Sequence, residues 1–204
     1  TIQNSYSRSA NDGSSTQAEA LVFSSTGNLV AYNSTFLSHQ DTLYLGQKGG
    51  RMWFYKDYIA GDVDFIWGSM DVALFEECTI YCRGDETDKS YIFASRAMAE
   101  NDANKGIVLL NNQIELPAGV NLWYGRNSGS DTTAAILNST ITGPGTLKSE
   151  LYQSAPGKFV KDAAGDLAIG YKDYNNTLNG VLVDGSGRLA NCGELSERVA
   201  KREY

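Results

Sequence analysis

Two aspartates, Asp41 and Asp64, have the type and spacing to do chemistry. Each lies five residues after the apolar member of a recurring pattern, Phe36 in one case and Ile59 in the other. If the pattern marks successive coils of a stacked chain, the two carboxyl groups hold equivalent positions about 4.8 Å apart, the ordinary interstrand spacing. Carboxyl groups that close do not both ionise easily, so one pKa rises. A split pair lets one carboxylate act as nucleophile while its neighbour keeps a proton for the leaving group. The competing reading is that both are turn aspartates bonded to local backbone. Their flanks, Thr42-Leu43-Tyr44-Leu45 and Phe65-Ile66-Trp67, form strands rather than solvated loops. Spacing alone leaves both readings open. Asp85 repeats the count, five residues after Ile80, but the polar run at 83–88 reads as a loop and Asp85 as a structural residue. Asp62 shares a strand face with Asp64 by the period of two and reads as a surface carboxylate.

The pattern that would position these groups is a polar pair, one residue, then usually an apolar residue. It occurs at Asn4-Ser5-Tyr6-Ser7, Asn33-Ser34-Thr35-Phe36, Lys56-Asp57-Tyr58-Ile59, Glu77-Cys78-Thr79-Ile80, Asn111-Asn112-Gln113-Ile114 and Asn138-Ser139-Thr140-Ile141. Most copies follow a short apolar stretch: 29–32, 52–55, 72–75, 107–110 and 134–137. A unit of this size cannot bury an apolar face alone, so units must stack, and unequal intervals mean that loops of different length leave some coils. The predicted fold is all-β, a parallel β-helix, and residues 1–204 form a single domain. Near the end, the stretch 193–202 places Leu195 and Val199 on one face, which predicts a short helix that could cap the stack.

Composition excludes several partners. The net charge of −7 and pI near 4.7 leave no basic face for nucleic acid or an anionic membrane. No apolar stretch approaches a membrane span and no signal peptide heads the chain. Three Asn-x-Ser/Thr matches, at Asn33, Asn138 and Asn175, hint only weakly at secretion. Cys78, Cys82 and Cys192 fit neither a metal-ligand spacing nor a dense disulfide framework. Cys78 and Cys82 are about 13 Å apart if extended and cannot bridge each other. Buried small side chains are the expectation, a bridge to Cys192 the alternative. His39 is the one histidine, so any Ser-His-Asp or Cys-His hydrolase would have to be built around it.

Gln40-Asp41-Thr42-Leu43 and Val63-Asp64-Phe65-Ile66-Trp67-Gly68 resemble the two signature segments of the pectin methylesterase family, usually QDTL and VDFIFG. In the family's order, 17–21 resembles QAVAL, 91–96 YITAQ, 124–126 the start of YLGRPW and 173–177 EYNNTGPG. The likeness spans about positions 1 to 180. It implies a right-handed, single-stranded, pectin-lyase-like solenoid that removes methyl groups from methyl-esterified homogalacturonan (pectin), with no cofactor or metal, secreted to the cell wall. Carried over residue by residue, Asp64 would be the nucleophile and Asp41 the general acid and base. Gln17 and Gln40 would donate N–H bonds to the oxyanion, since an amide donates without titrating. Arg126 would hold Asp64 ionised, because guanidinium stays charged and can grip bidentately. Phe65, which follows the nucleophile, would face the sugar; Tyr44, Trp67, Trp123 and Tyr124 are further candidates for sugar stacking, with core packing as their default.

The chain departs from the family at Gly125-Arg126-Asn127-Ser128, where the usual sugar-contacting Trp is missing and Trp123 could compensate in part. It also begins at the first matched motif, without the family's N-terminal coils; the expectation is a monomer or a chain paired with that missing segment. The constellations of a calcium-dependent lyase and of a polygalacturonase with a histidine beside an acidic cluster are not found around Asp41 and Asp64. The remaining alternative is a carbohydrate-binding or adhesion module without turnover.

Overall fold

The computed structural model describes residues 1–7, 13, 17–46, 49–95, 106–126, 134–152 and 171–183. Three parallel sheets run along one axis as a parallel β-helix, as the repeat predicts. The first stacks Ile2–Gln3, Thr35–Leu37, Tyr58–Gly61, Thr79–Cys82, Gln113–Glu115, Thr140–Thr142 and Thr177–Leu178, and ends in an antiparallel pairing with Val181–Leu182. The second stacks Leu21–Phe23, Leu43–Leu45, Ile66–Gly68, Lys89–Ser95, Asn121–Arg126 and Thr146–Tyr152. The third stacks Asn28–Tyr32, Arg51–Tyr55, Val72–Glu76, Gly106–Leu110, Ala134–Leu137 and Tyr171–Tyr174. The expected apolar stretches are the strands of this third sheet. Among the described residues there is no helix, and so none long and apolar enough to cross a membrane. The helix expected over 193–202 lies outside the described residues.

The core is a set of side-chain ladders. Phe36, Ile59, Ile80, Ile114 and Ile141 occupy one register position on five successive coils, all buried. Phe54 and Phe75 stack with ring centroids 4.6 Å apart, and Phe36 meets Phe54 edge-on at 5.8 Å. Such contacts add to area burial because ring quadrupoles prefer offset and edge geometries.

Each polar pair turns the chain from the third sheet into the first, and its two members do different jobs. Asn33, Lys56, Glu77, Asn111 and Asn138 all have φ between +51° and +56°, the left-handed region that Asn tolerates best. The second member points inward. Asn112 accepts from the Cys78 amide (2.8 Å) and donates to the Phe75 carbonyl (3.0 Å), joining two adjacent coils from a fully buried position. Asn176 repeats this, accepting from the Ser139 amide (2.9 Å) and donating to the Ile136 carbonyl (3.0 Å). Asn112→Ala strands a buried N–H and a buried C=O, so urea unfolding should show a loss of about 2–4 kcal/mol.

Two corrections concern the repeat. Ile2 pairs with Phe36, which puts Asn4 level with Ser38, so the copy expected at Asn4 is out of register. There Asn4 instead donates to the Glu19 carbonyl; a polar pair without a preceding apolar stretch is too short a signal. The series does continue at Asn175-Asn176-Thr177-Leu178, where Asn175 has φ +55° and Leu178 pairs with Ile141. Cys78 and Cys82 are free and buried, as small core side chains; Cys192 lies outside the described residues.

Candidate active site

Asp41 and Asp64 sit in the short turns that lead from the first sheet into the second, after Thr35–Leu37 and after Tyr58–Gly61. Leu43 pairs with Ile66 and the Asp41 amide donates to the Val63 carbonyl (2.9 Å), which places Asp41 beside Asp64 on adjacent coils. Both take a left-handed backbone, φ +64° and +52°. They are therefore turn residues and also a stacked buried pair, with Asp41 only 2% and Asp64 8% exposed.

On the next coil the count fails. Tyr91 donates its amide to the Asp62 carbonyl (3.0 Å) and Phe93 pairs with Ile66, so Tyr91, not Asp85, stands next to Asp64. The reason is length: the turn after Cys82 runs through residues 83–88 before the strand resumes. Asp85 is held by Arg83, Nη2 to Oδ2 at 2.6 Å. Asp62, expected on the surface, is 1% exposed and bonded by the Gly84 amide (2.5 Å). The interior tolerates this carboxylate because the Gly84 amide bonds Oδ1 and His39 stands 3.5 Å from Oδ2.

Arg126 reaches across from the strand two coils on, 62 residues later, and its Nη2 bonds Asp64 Oδ2. Its guanidinium also lies over the Tyr91 ring, 5.2 Å from the centroid. The other oxygen, Asp64 Oδ1, is buried with no hydrogen-bond donor among the described residues. Gly125 lets this strand in: a Cβ there would fall 2.1 Å from the Phe93 ring.

Burial raises both carboxyl pKa values, but unequally. Asp41 is pushed up to about 7, chiefly by desolvation, then by the Asp64 and Glu19 charges, against the Gln17 amide that bonds it and against Arg126. Asp64 is also raised by desolvation, but the Arg126 charge and hydrogen bond oppose it. The arrangement favours a proton on Asp41 and a charge on Asp64. Glu19 went unrecognised in the sequence because its place in the QAVAL-like segment is an apolar one in the family. Glu19→Gln should lower the Asp41 pKa, because one of the negative charges raising it is gone, and move the alkaline limb of any pH-rate profile to lower pH.

Gln17 and Gln40 flank the pair. Ser38 Oγ donates to the Ala18 carbonyl and the Ala18 amide to the Gln40 carbonyl (3.3 Å), which ties the two glutamine segments together. Gln17 is exposed and Gln40 half-buried. Gln40 Oε1 is buried without a donor among the described residues.

The aromatic candidates divide. Tyr44 and Trp67 are half-buried and stacked at 4.2 Å; Trp123 stacks on Tyr91 at 5.4 Å. Both pairs lie on the second sheet, Tyr44 and Trp67 three residues beyond the aspartates on the same two coils, Tyr91 and Trp123 on the next two coils. Phe65, expected to face substrate, is 0% exposed and belongs to the core cluster, as does Tyr124 at 1%. The left-handed turn at Asp64 sends the next side chain inward. Tyr91, beneath Arg126, is the aromatic that sequence reading passed over.

A family model described as Pectinesterase matches residues 4–183. Among curated proteins, a pectinesterase of Sitophilus oryzae is 37% identical over 94 residues, covering 44% of this chain and 24% of its own length. A pectinesterase/pectinesterase inhibitor 3 of Arabidopsis thaliana is 27% identical over 153 residues, 72% of this chain and 24% of its own. The chain thus spans about a quarter of the length of these relatives. A solved pectin methylesterase from Aspergillus niger superposes with a TM-score of 0.69 at 25% identity, over 100% of this chain and 64% of that one. A pectin methylesterase from carrot gives a TM-score of 0.62 at 21% identity, over 93% and 67%, a likeness that speaks to the fold alone.

Proposed function

Because the chain belongs to the pectinesterase family, we propose that it hydrolyses the methyl esters of homogalacturonan to pectate and methanol, acting outside the cell where that polymer lies. The observation that carries this reading is the asymmetry of the stacked pair: Arg126 bonds Asp64, and Asp41 is the carboxyl with the pKa near 7.

In this mechanism an Asp64 carboxylate oxygen attacks the ester carbonyl carbon, and the electron pair of the C=O bond moves onto oxygen. Side-chain N–H groups of Gln17 and Gln40 hold that oxyanion. As the C–O bond to the methoxy group breaks, Asp41 gives up its proton and methanol leaves, with the acyl group bound to Asp64 as an anhydride. Asp41, now a carboxylate, takes a proton from water, and the hydroxide oxygen attacks the acyl carbonyl. Asp64 departs as carboxylate and Asp41 is again protonated, so the cycle closes. General acid–base help from one positioned group is worth about 10²–10⁴ in rate. Tyr44, Trp67, Tyr91 and Trp123 supply ring faces along the sheet for the flanking sugars.

Methanol release from highly esterified homogalacturonan by the purified, folded chain tests the proposal. Release is expected. Binding to the polymer without release would leave a carbohydrate-binding module and overturn the hydrolase reading.

A further inference from the structure

One polar cluster lies beside the aspartate pair and takes no part in the chemistry just described. His39 Nδ1 stands 3.5 Å from Asp62 Oδ2 and 3.4 Å from Asp85 Oδ1. The three ligand atoms all lie within 4.8 Å of one another. From these contacts we infer a binding site for one divalent transition-metal ion of the Zn²⁺ type, built from His39, Asp62 and Asp85.

The distances favour a metal over a simple hydrogen-bonded triad. A charge-assisted N–H···O bond closes to about 2.7–2.9 Å. By contrast, ligands about 2.0–2.1 Å from a tetrahedral centre are separated from each other by about 3.4 Å. The two measured separations match that edge. Burial gives the second, independent indication. The Asp62 side chain is 2% exposed, and its Oδ2 and His39 Nδ1 are buried facing each other at 3.5 Å, a long pairing without the geometry of a hydrogen bond. Leaving such atoms unsatisfied costs about 1–3 kcal/mol each, which a cation would remove.

The surroundings fit an ion. Asp62 Oδ1 is occupied by the Gly84 amide (2.5 Å), so its carboxylate is already oriented with Oδ2 to spare. Arg83 grips Asp85, its Nε bonding both oxygens, including the Oδ1 that faces His39, and its Nη2 bonding Oδ2, which fixes the carboxylate in the way outer partners orient metal ligands. His39 and Asp62 line a small, partly open cleft with Tyr6, Gln40 and Glu86, which gives a path from solvent to the cluster. One imidazole nitrogen with two carboxylates suits Zn²⁺ and its neighbours better than Mg²⁺ or Ca²⁺, which prefer all-oxygen shells. Two ligand carboxylates also balance the charge of the ion.

The consequence is structural. His39 precedes Gln40 and Asp41, and Asp62 lies two residues before Asp64, so an ion here clamps the two turns that carry the pair. The inference does not depend on the ester chemistry.

Isothermal titration of the chelator-treated chain with ZnCl₂, in parallel with thermal unfolding, tests it. One ion should bind per chain, and a hundredfold excess over Kd should raise Tm by about 5–10 °C. Both His39→Gln and Asp62→Asn, which keep the three cysteines, should weaken binding at least about a hundredfold and abolish the Tm rise. Asp62→Asn retains the Oδ1 bond to Gly84, so it should fold even if His39→Gln does not. Absence of saturable binding to the folded native chain overturns the site, as does stoichiometric binding that survives in a folded variant.

Discussion

Asp64→Asn should lower the kcat for methanol release by about 10⁴-fold or more, the scale expected when a covalent nucleophile is removed, while far-UV circular dichroism should stay unchanged. The amide is nearly isosteric, and a turn residue at φ +52° is one that Asn tolerates as well as Asp. The loss therefore reports chemistry rather than folding. Arg126 remains, its side chain 32% exposed, so the freed guanidinium can be hydrated rather than trapped. KM should change little, because the aromatics proposed to carry the sugar rings are left intact. Retention of more than a few per cent of native turnover would place the nucleophile elsewhere.

Asp41→Asn has two effects of opposite sign. Turnover should fall by about 10²–10⁴, since on the proposed mechanism methoxide would depart unprotonated and the attacking water would have no base. Stability rises, and only at higher pH. The Asp41 carboxyl has an ordinary value of 3.8 and is raised to about 7 in the folded chain, so the fold is favoured by protonation. That contribution is complete below about pH 4, declines between about 4 and 7, and is gone once the pH passes the folded value. Above pH 7 the native chain carries a buried charge that the Asn variant lacks. The variant should be more stable at pH 8 by about 2–4 kcal/mol and nearly equal to the native chain at pH 4, as measured by denaturant unfolding at the two pH values. A variant equally stable, or less stable, at pH 8 would mean that Asp41 is not held neutral by its surroundings.

Much of this architecture is legible in the residues because a solenoid is written one coil at a time. The apolar stretches at 29–32, 52–55 and 72–75 are strands, and the equal offsets from Phe36 to Asp41 and from Ile59 to Asp64 reflect two turns of equal length. The same counting failed at Asp85 because the third turn is longer, and loop length is the one quantity that a stacking repeat leaves free. Phe65 was misread because it follows a turn residue. Alternation assumes an extended chain, whereas Asp64 is left-handed and shifts which side chains face the core. Arg126 came only from family resemblance: no period links it to a residue 62 positions earlier, and its pairing with Asp64 exists only in three dimensions. Tyr91 was hidden in the same way, since its place above Asp64 depends on the length of the 83–88 turn.

The division of one proton and one charge across the stacked pair is the claim on which the rest depends. Carbon-13 NMR titration of the aspartate carboxyl groups, assigned with the Asp41→Asn and Asp64→Asn variants, measures it directly. The expected result is an Asp41 carboxyl that titrates near 7, well above an Asp64 carboxyl that stays ionised under its bond to Arg126. An Asp64 carboxyl titrating above Asp41, or both titrating near the ordinary value of 3.8, would contradict it.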